Sequence, residues 1–362
     1  MRIKVVHFVL SESYGGIESF LYEMYKRNDD RNLKMEFVAV GDNNSIADRF
    51  QKMGAVVRNI SRRDSFDSYK RDIESLARSY KREAQHDKTQ IIMHFHKNSA
   101  ADLTAIRIVK KYGFIVIVHS HNTAPSTGNL TKALHLLQRG RLNRYADYKV
   151  ACSKAAAKWM FGETKDVRII YNGIDTGRFF PDDSKRKQIR QEMGIPQNSI
   201  VIINVGRFTK QKNQMWLIDM MECVEKKDVY LLLVGDGELR AKCQKAAEEK
   251  NVIDKIKFLG LRQDIPDLLN ASDVFVMPSI YEGYPISALE ALACGLKVML
   301  SDTITAEVDV TGNVKWFSLK QDYSKVIPQM YINKKNKQEN MWKYDIGETY
   351  NNLKSLYERI AG

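Results

Sequence analysis

The sequence predicts an α/β protein built from two doubly wound, Rossmann-like domains that face a central cleft. The chain has 362 residues, and at roughly 150 residues per domain this length suggests two domains. Short runs rich in Val, Ile and aromatic residues alternate with longer mixed segments, which is typical of βαβ units and parallel sheets. Several runs are continuously apolar, as in FIVIV (114–118), which indicates strands buried on both faces.

The first half of the chain contains seven predicted strands, and helical patterns separate most of them. The strands are predicted over Val5–Leu10, Glu36–Val40, Ala55–Ile60, Ile91–His96, Phe114–His119, Tyr148–Cys152 and Arg168–Tyr171. The clearest helical patterns cover Gly16–Arg27 and Asp72–Glu83. We assign residues 1–172 to this first domain.

The second half repeats the same alternation. Strands are predicted over Ile200–Gly206, Tyr230–Gly235, Ile256–Gly260, Val274–Pro278 and Lys297–Ser301, and helices over Gln211–Glu225, Leu239–Lys250 and Ser287–Cys294. The least regular stretch, Asn172–Asn198, is rich in turn residues and marks the boundary between the domains. We assign residues 173–340 to the second domain.

The tail of the chain, Asn336–Ile360, is polar but has a periodic apolar pattern. Leu353, Leu356 and Tyr357 recur at helical spacing. Residues 341–362 are therefore predicted to form a closing amphipathic helix.

The composition excludes several classes of protein. Apolar residues make up 44% of the chain and charged residues 28%, which excludes a wholly disordered chain. No apolar run approaches the ~18 residues that a membrane span requires, and the first run, Val5 to Leu10, is too short for a signal-peptide core. The four cysteines are scattered without the spacing of a disulfide framework or a zinc site. We therefore expect a protein of the reducing cytoplasm.

The net charge of +13 predicts an anionic partner: a nucleic acid, an acidic membrane surface or a phosphorylated small molecule. The segment 130–144 is predicted to set Leu130, Leu134, Leu137 and Leu142 against four cations, as in a basic amphipathic helix that lies on an anionic membrane. The cations are Lys132, Arg139, Arg141 and Arg144. A helix with one face in the core and a solvated back accounts for the same pattern.

Glycines and cations follow predicted strands, where open parallel sheets bind their ligands. Gly16 follows the first strand, and a glycine there lets the backbone approach an anion at the next helix N-terminus. Gly206 and Arg207 follow a strand of the second domain, with Lys212 shortly after them. A guanidinium clamps a phosphate bidentately and an ammonium adds a point charge, which together match a nucleoside diphosphate.

The segment Gly235-Asp236-Gly237-Glu238 is similar to part of a dinucleotide fingerprint. Arg240 stands where that fingerprint has its third glycine, so an NAD site is weakly supported. A glycine turn near a nucleotide base, centred on Gly235, fits better.

The segment Tyr281–Gly295 combines two carboxylates with a predicted helix N-terminus. Glu282 precedes the helix and Glu290 lies about one turn inside it. The backbone near an anion would be that of Gly283, Tyr284, Pro285 and Ile286. Pro285 suits the first turn and Gly295 the C-terminal cap, with Ile286, Leu289 and Ala293 as the buried stripe. Because each carboxylate can accept from two hydroxyls of a diol, the pair suits a nucleotide-sugar.

Two His-x-His pairs end strands of the first domain, His94 with His96 and His119 with His121. Alternation places the members of each pair on one face. A metal site is conceivable, but no cysteine or acidic cluster accompanies the pairs. A hydrogen bond to a sugar hydroxyl or to the main chain is the favoured interpretation.

Together these motifs resemble those of a retaining glycosyltransferase of the GT-B fold, family 4, of the kind found in bacterial capsule and exopolysaccharide pathways. The segments that carry the resemblance are Gly15-Gly16-Ile17-Glu18, His119-Ser120-His121-Asn122, Asn172-Gly173-Ile174-Asp175, Gly206-Arg207, Lys212, Gly235-Asp236-Gly237, Pro278-Ser279, Glu282-Gly283, Glu290-Ala291 and Gly295. The resemblance implies transfer of a hexose from a nucleotide-sugar, a UDP-sugar by preference, with retained configuration. The basic segment 130–144 predicts an enzyme that is peripheral on the inner face of the cell membrane. The resemblance implies an acceptor that is a carbohydrate or is linked to a polyprenyl diphosphate, and neither a metal nor another cofactor. It also implies that the closing helix crosses back onto the first domain.

The resemblance further implies roles for single residues. Arg207 and Lys212 would hold the donor diphosphate and stabilise its leaving charge. Glu290 would bind the ribose and Glu282 the transferred hexose.

Three further positions take their roles from the same resemblance. Gly16 would offer its amide to the phosphate, and His121 would lie near the sugar. Asp264 and Ile265 would lie near the base.

Two other function classes compete. A hydrolase would use Glu282 and Glu290 as acid and nucleophile, with their carboxylates ~5–5.5 Å apart, and would not need the two cations at 207 and 212. A nucleic-acid-binding protein would explain the charge by aromatic residues interleaved with basic ones. Since Phe114 is expected inside a buried strand, we expect no nucleic-acid partner.

Overall fold

The computed structural model describes residues 2–12, 15–41, 44–62, 65–124, 128–226, 228–331 and 341–362. The chain divides into two compact units. Unit 1 comprises Met1–Gly173 and Ile346–Gly362, and unit 2 comprises Ile174–Asp345. The sequence placed these boundaries at 172/173 and 340/341.

Unit 1 contains seven strands in one parallel sheet. They are β1 (Ile3–Leu10), β2 (Leu33–Val40), β3 (Val56–Ile60), β4 (Gln90–Lys97), β5 (Ile115–Ser120), β6 (Tyr148–Ala151) and β7 (Val167–Ile169). Their order is β3-β2-β1-β4-β5-β6-β7, and every adjacent pair is parallel. The six central residues of β4 are all buried, as expected for a strand covered on both faces. All seven predicted strands are confirmed, with ends that shift by a few residues.

Helices connect the strands of unit 1. They are α1 (Gly16–Lys26), α2 (Ser45–Gln51), α3 (Phe66–Asp87), α4 (Thr104–Lys111), α5 (Asn129–Tyr145) and α6 (Lys154–Phe161). Side-chain caps fix two of their starts, since Asn44 accepts from the amides of Ile46 and Ala47 and Ser153 accepts from the amide of Ala156.

Helix α5 differs from the predicted amphipathic pattern. It buries only His135 and Leu142 among its described residues, while Leu130 and Leu137 are 74% and 76% exposed. The guanidinium of Arg139, which is half-buried, lies close to Gly162. The prediction that all four leucines oppose all four cations is therefore wrong.

Helical periodicity instead places part of the basic set with the exposed leucines. At 3.6 residues per turn, Arg141 and Arg144 share one face with Leu130, Leu134 and Leu137. These five residues, which we call the α5 outer face, are all exposed.

Unit 2 contains six strands in a second parallel sheet. They are β8 (Ile200–Val205), β9 (Val229–Val234), β10 (Ile256–Gly260), β11 (Val274–Met277), β12 (Lys297–Ser301) and β13 (Val314–Phe317). Their order is β10-β9-β8-β11-β12-β13, and the pairs are parallel. The five predicted strands are confirmed, and β13 is an addition at the sheet edge.

The helices of unit 2 are α7 (Asp183–Glu192), α8 (Gln214–Glu222), α9 (Arg240–Glu249), α10 (Ile265–Ala271), α11 (Ile286–Ala293) and α12 (Tyr323–Met330). The expectation that 172–198 is irregular is wrong over α7. This helix is polar, but its Arg190 is fully buried and binds the carboxylate of Asp273 at 2.8 Å. The same guanidinium donates to the carbonyls of Gln197 and Ser199 at 2.8 Å each, so charge pairing holds the helix in place.

Helix α11 begins one residue before the predicted range of Ser287–Cys294, and Pro285 lies outside its first turn. Pro285 has an extended backbone and precedes the helix, which starts at Ile286. The helix buries Ala288, Leu289, Ala291, Leu292 and Ala293, whereas Ile286 is half-buried. Buried residues therefore lie on most sides of the helix, and the prediction of a single narrow buried stripe is wrong. Gly295 follows the helix with a φ of +76°, which confirms the predicted glycine cap.

The last helix, α13 (Ile346–Ala361), belongs to unit 1. It buries Leu353, Leu356 and Tyr357, so the closing helix and its return to the first domain are confirmed. The predicted tail also included 336–340, which lie outside the described residues. Among the helices that the structure describes, we find none whose length and hydrophobicity together would let it cross a bilayer.

Candidate active site

In unit 2 the predicted donor-binding residues lie at one edge of the sheet. Gly206 and Arg207 follow β8, Gly235 follows β9, and Asp264 precedes α10 after β10. Glu282 lies between β11 and α11. Because the strands are parallel, their carboxyl ends meet at this edge, which is where open α/β sheets bind ligands.

The centre of this edge is an ion pair between Lys212 and Glu282. The Lys212 Nζ lies 2.7 Å from Oε1 of Glu282, and the two side chains are 22% and 9% exposed. The aliphatic stem of Lys212 runs close to Gly206, since a Cβ placed on that glycine would lie 3.4 Å from Cδ of the lysine. The largely buried Lys212 ammonium thus contacts the buried Glu282 carboxylate, close to the backbone of Gly206, which carries no side chain.

Hydrogen bonds between two loops fix the position of this pair. The amide of Ile280 donates to the carbonyl of Gln211 at 2.8 Å, and the Gln211 side chain donates to the carbonyl of Tyr281 at 3.0 Å. The Asn213 side chain donates to the carbonyl of Pro278 at 3.1 Å. Residues 211–213, predicted as helix, therefore form a loop that carries Lys212 to Glu282.

Two glycines hold the β9 loop against the β8 loop. Gly235 and Gly237 have φ of +131° and +152°. A Cβ on Gly235 would lie 2.2 Å from the carbonyl oxygen of Gly206, and one on Gly237 would lie 2.5 Å from that of Phe208. Only glycine allows this approach, so the predicted glycine turn is a packing contact that supports the segment with Arg207.

Arg207 presents its guanidinium toward solvent. Its Nη2 lies 3.7 Å from Oε2 of Glu238, and the two side chains are 48% and 58% exposed. Such an exposed pair is weak.

Asp264 has a partner that the sequence analysis missed. Arg262 donates to both of its carboxylate oxygens, from Nε at 2.8 Å and from Nη2 at 2.5 Å. This hydrogen bonding lowers the pKa of the Asp264 carboxyl. A base near Asp264 and Ile265 would therefore meet a carboxylate already engaged by a guanidinium. In the sequence, this contact was indicated by the position of Arg262 two residues before Asp264.

The remaining predicted donor residues lie on or before α11. Gly283, Tyr284 and Pro285 are buried in the loop that enters the helix, while Ile286 and Glu290 are half-buried on the helix itself. Amides at a helix N-terminus attract anions. Contact of these residues with a donor stays a prediction.

In unit 1 both predicted histidine pairs meet in one cluster, and His7 joins them. His7 on β1 pairs in register with His94 on β4, and His96 pairs with His119 on β5. The Nδ1 of His7 lies 3.0 Å from Nε2 of His96, and Nδ1 of His96 lies 2.8 Å from Nε2 of His121. We call these five residues the histidine cluster.

Burial keeps the histidine cluster neutral. It lowers the pKa of His7 and His121 to about 3. Burial, with a smaller contribution from neighbouring histidines, also lowers the pKa of the three other members, which are His94, His96 and His119. His121 is the partly exposed member, so a neutral imidazole faces outward from the strand ends.

Gly16 begins α1 at the corresponding edge of unit 1. A Cβ added there would meet no heavy atom of the described chain within 4 Å. The local backbone is supported by Glu18, whose carboxylate accepts from the amide and the hydroxyl of Ser11 at 3.1 and 2.7 Å. The glycine is therefore not required by packing.

Comparison with known proteins decides the family. The family model for Glycosyltransferase Family 4 matches residues 14–178, and that for Glycosyl transferases group 1 matches residues 185–344. This chain is a family 4 glycosyltransferase. Its two parallel sheets and returning helix form the GT-B fold.

Individual relatives of this glycosyltransferase agree with the family. It is 28% identical to the putative glycosyltransferase EpsF of Bacillus subtilis (strain 168) over 334 residues, 89% of this chain and 85% of that one. It is 33% identical over 150 residues to the UDP-Gal:alpha-D-GlcNAc-diphosphoundecaprenol alpha-1,3-galactosyltransferase of Escherichia coli, 40% of this chain and 39% of that one.

Solved structures share the fold of this glycosyltransferase. Anabaena Alr3699/HepE in complex with UDP-glucose superimposes with a TM-score of 0.81 at 17% identity, covering 99% of this chain and 100% of that one. The lipopolysaccharide outer core galactosyltransferase WaaB in its apo form gives a TM-score of 0.68 at 16% identity, covering 99% and 100%. The family assignment makes the enzyme a transferase, so the hydrolase and nucleic-acid-binding alternatives are set aside.

Proposed function

We propose that this glycosyltransferase moves a hexose from a UDP-sugar to a hydroxyl of a growing, lipid-linked exopolysaccharide or capsule repeat unit, with retained anomeric configuration. The observation that carries the proposal is the pair Lys212–Glu282 at 2.7 Å in unit 2, with Arg207 in the same loop as the lysine. In a nucleotide-sugar the diphosphate is bonded directly to the sugar. An ammonium in contact with a carboxylate fits a diphosphate that is bonded to a sugar. The ammonium binds phosphate oxygens, and the carboxylate accepts hydrogen bonds from sugar hydroxyls.

Electrostatic stabilisation of the leaving group supplies the catalysis. When the bond between sugar and phosphate breaks, negative charge accumulates on the departing diphosphate. Arg207, Lys212 and the amides at the start of α11 meet that charge without reorganisation. Because two protein cations already serve the diphosphate, we propose no metal ion at that point and no other cofactor.

The names of relatives support UDP as the nucleotide. The Anabaena protein is described in complexes with UDP and with UDP-glucose, and the Escherichia coli relative is named for UDP-Gal and a diphosphoundecaprenol-linked substrate. Within the proposal, Glu282 binds the hexose and Glu290 the ribose, while the roles given to His121 and Gly16 stay predictions.

Kinetics of three single variants test the proposal. We expect Arg207→Ala and Lys212→Ala each to lower kcat by about 100-fold or more, the range seen when one preorganised charge-stabilising group is removed. Lys210→Ala is the matched control, since Lys210 is an exposed cation of the same loop, and we expect it to keep wild-type turnover. Release of UDP from a panel of UDP-sugars is the readout.

Retention of near wild-type turnover by both cation variants would contradict the proposal. So would a product whose anomeric proton shows inverted configuration by NMR. A donor other than a UDP-sugar would correct the nucleotide while leaving the site in place.

The α5 outer face supports peripheral binding to an anionic membrane, where a lipid-linked acceptor would be found. Leu130 and Leu137 are about three-quarters exposed beside Arg141 and Arg144. Apolar side chains that enter the interface, flanked by cations worth about 1 kcal/mol each near anionic lipid, suit such a surface.

Vesicle flotation tests this part of the proposal. We expect the enzyme to float with phosphatidylglycerol vesicles and Leu137→Glu to lose flotation. Leu261→Glu is the control, because Leu261 is 78% exposed in unit 2. Equal flotation of the two variants, or no preference for anionic lipid, would remove membrane binding through α5.

A further inference from the structure

Five of the seven histidines of the chain gather in the histidine cluster at the carboxyl ends of β1, β4 and β5. Adjacent rings lie close, with centroids 4.2 Å apart for His94 and His96 and 4.1 Å apart for His119 and His121. Phe20 packs against the cluster, 5.8 Å from the His119 ring. The proposed transfer reaction uses only His121 of this set, so four buried imidazoles remain unexplained.

The hydrogen bonds within the cluster leave ring nitrogens without partners. Within the described part of the chain, both nitrogens of His119 and the Nε2 atoms of His7 and His94 are buried and make no hydrogen bond. His119 itself is 0% exposed. A neutral imidazole carries one donor and one acceptor, and burying them unpaired is unfavourable. The cluster therefore contains ring nitrogens that are available to a ligand.

The chemistry of the cluster selects a class of ligand. Each neutral imidazole offers one nitrogen lone pair to a ligand. Imidazole nitrogen suits Zn²⁺, Cu²⁺ and Ni²⁺, whereas Mg²⁺ and Ca²⁺ prefer oxygen. A metal was not expected from the sequence, because no cysteine or acidic cluster accompanies the two His-x-His pairs. The strand pairing that brings these pairs and His7 together is seen only in the fold.

We propose that His96, His119 and His121 bind one divalent transition-metal ion, Zn²⁺ being the probe of choice, through one ring nitrogen each. One nitrogen from each of the three residues lies within 4.8 Å of the others. Nitrogens around a tetrahedral zinc lie about 3.4 Å apart, given Zn–N bonds of about 2.0–2.1 Å. Modest shifts of the three histidine side chains would therefore bring their nitrogens to the separation that zinc requires.

The neighbouring contacts support this set of three. Nδ1 of His96 and Nε2 of His121 already face each other at 2.8 Å. An ion between them would take the place of the proton in that hydrogen bond, and the proton would move to Nδ1 of His121. Nε2 of His96 would stay bonded to Nδ1 of His7 at 3.0 Å, the second hydrogen bond that orients metal-bound histidines. The partial exposure of His121 gives the ion access.

A second set, His7, His94 and His96, has nitrogens at similar separations. It shares His96 but lacks an exposed member, since all three residues are buried. His94 also uses its Nδ1 in a 2.7 Å bond to the Tyr357 hydroxyl. We therefore place the ion on the set that contains His119.

Zinc titration of the untagged full-length enzyme, stripped with a chelator, tests the proposal. We expect one Zn²⁺ per chain by calorimetry, with a Kd in the micromolar range or below, and a rise in Tm on zinc addition. His119→Gln should weaken binding by at least 100-fold and lose the Tm rise. His135→Gln is the control, because His135 is equally buried but lies on α5 outside the cluster, and it should bind as the wild type does.

Absence of stoichiometric zinc binding by the wild type would overturn the proposal. So would equal binding by His119→Gln, or loss of binding in His7→Gln with retention in His119→Gln. Should His119→Gln fail to fold, His121→Gln at the exposed end and zinc X-ray absorption of the wild type, which must show imidazole ligands and no sulfur, keep the test decisive. Each readout is independent of UDP-sugar turnover, so this proposal and the proposed function fail separately.

Discussion

At the residue scale, the ion pair of Lys212 with Glu282 organises the site in unit 2. The carboxylate is 9% exposed and the lysine 22%, so each charge relies on the other for part of its solvation. Removing one partner from such a pair leaves a poorly solvated charge, which costs more than the pair itself contributes.

We expect a double-mutant cycle to reveal this dependence. Lys212→Met should lower the free energy of unfolding by about 1–3 kcal/mol, and Glu282→Gln by a smaller amount. The double variant should be more stable than the sum predicts, with a coupling energy of about 0.5–3 kcal/mol. Urea denaturation measures all three, and strict additivity would show that the pair is not coupled in solution.

The sequence predicted the types of the site residues but not all of their contacts. Arg207, Lys212 and Glu282 were predicted to lie near one another because strand ends meet in any parallel sheet, and the structure brings Lys212 into contact with Glu282. The hydrogen bonds from Arg262 to Asp264 and the burial of Glu282 depend on side-chain packing in three dimensions. A pattern along the chain does not contain that information.

At the element scale, the glycines of the β9 loop set the distance between two loops. Gly237 has φ of +152°, and a Cβ there would lie 2.5 Å from the carbonyl oxygen and 2.8 Å from the amide nitrogen of Phe208. The backbone of the β8 loop would have to move to admit any side chain.

We expect Gly237→Ala to destabilise the protein by about 2–4 kcal/mol, because strain and overpacking add. Gly312→Ala is the control. Its φ is +71°, but no heavy atom of the described chain lies within 4 Å of the new Cβ, so only the cost of the left-handed backbone applies, about 1–2 kcal/mol. Equal losses of stability in the two variants, measured by denaturation, would contradict the packing role.

The packing of α5 on α6 has a pH dependence through His135. Nδ1 of His135 accepts from the amide of Ala100 at 2.9 Å, and Nε2 donates to the carbonyl of Trp159 at 3.0 Å. Burial, with a smaller effect of the Arg139 charge, lowers the pKa of this imidazole. The neutral ring is therefore satisfied in the folded state, and protonation would break the bond from Ala100.

The sign of the effect follows from this lowered pKa. Below an unfolded pKa of about 6.5 the unfolded chain takes up a proton that the folded state refuses. The stabilisation is fully present above that pH and is lost as the pH falls through the lower folded pKa. We expect the wild type to lose more stability than His135→Gln between pH 7.5 and pH 5, measured by urea denaturation. Parallel pH profiles would contradict the assignment.

The histidine cluster shows which contacts could not be predicted from the pattern of single strands. Alternation placed each His-x-His pair on one face of its strand, which the structure confirms. That β1 lies beside β4, so that His7 pairs with His94, depends on strand order. Sequence periodicity fixes which face a residue takes but not which strand lies next to it.

At the scale of the whole molecule, the last helix of the chain completes the first unit. Tyr357 on α13 is fully buried, and its hydroxyl lies 2.7 Å from Nδ1 of His94 on β4. The sequence predicted this helix from its apolar spacing, and its place on unit 1 came from the family resemblance. The polar helix α7 escaped prediction because its buried Arg190 reads as a surface residue.

We expect Tyr357→Phe to lower the stability of unit 1 by about 1–3 kcal/mol, because the buried His94 nitrogen loses its partner. Tyr350→Phe on the same helix is the control, since its hydroxyl bonds the side chain of Asn28 at a part-buried position. Hydrogen exchange should speed up in β1 and β4 of the Tyr357 variant and stay unchanged in unit 2. Exchange that rises in both units alike would contradict the assignment of α13 to unit 1.

A crystal structure of the enzyme soaked with UDP tests the central claim most directly. The claim predicts that the diphosphate lies at the carboxyl ends of the unit 2 strands, with its oxygens about 3 Å from the Arg207 guanidinium and the Lys212 ammonium. A diphosphate bound elsewhere on the molecule, with neither cation in contact, would contradict it.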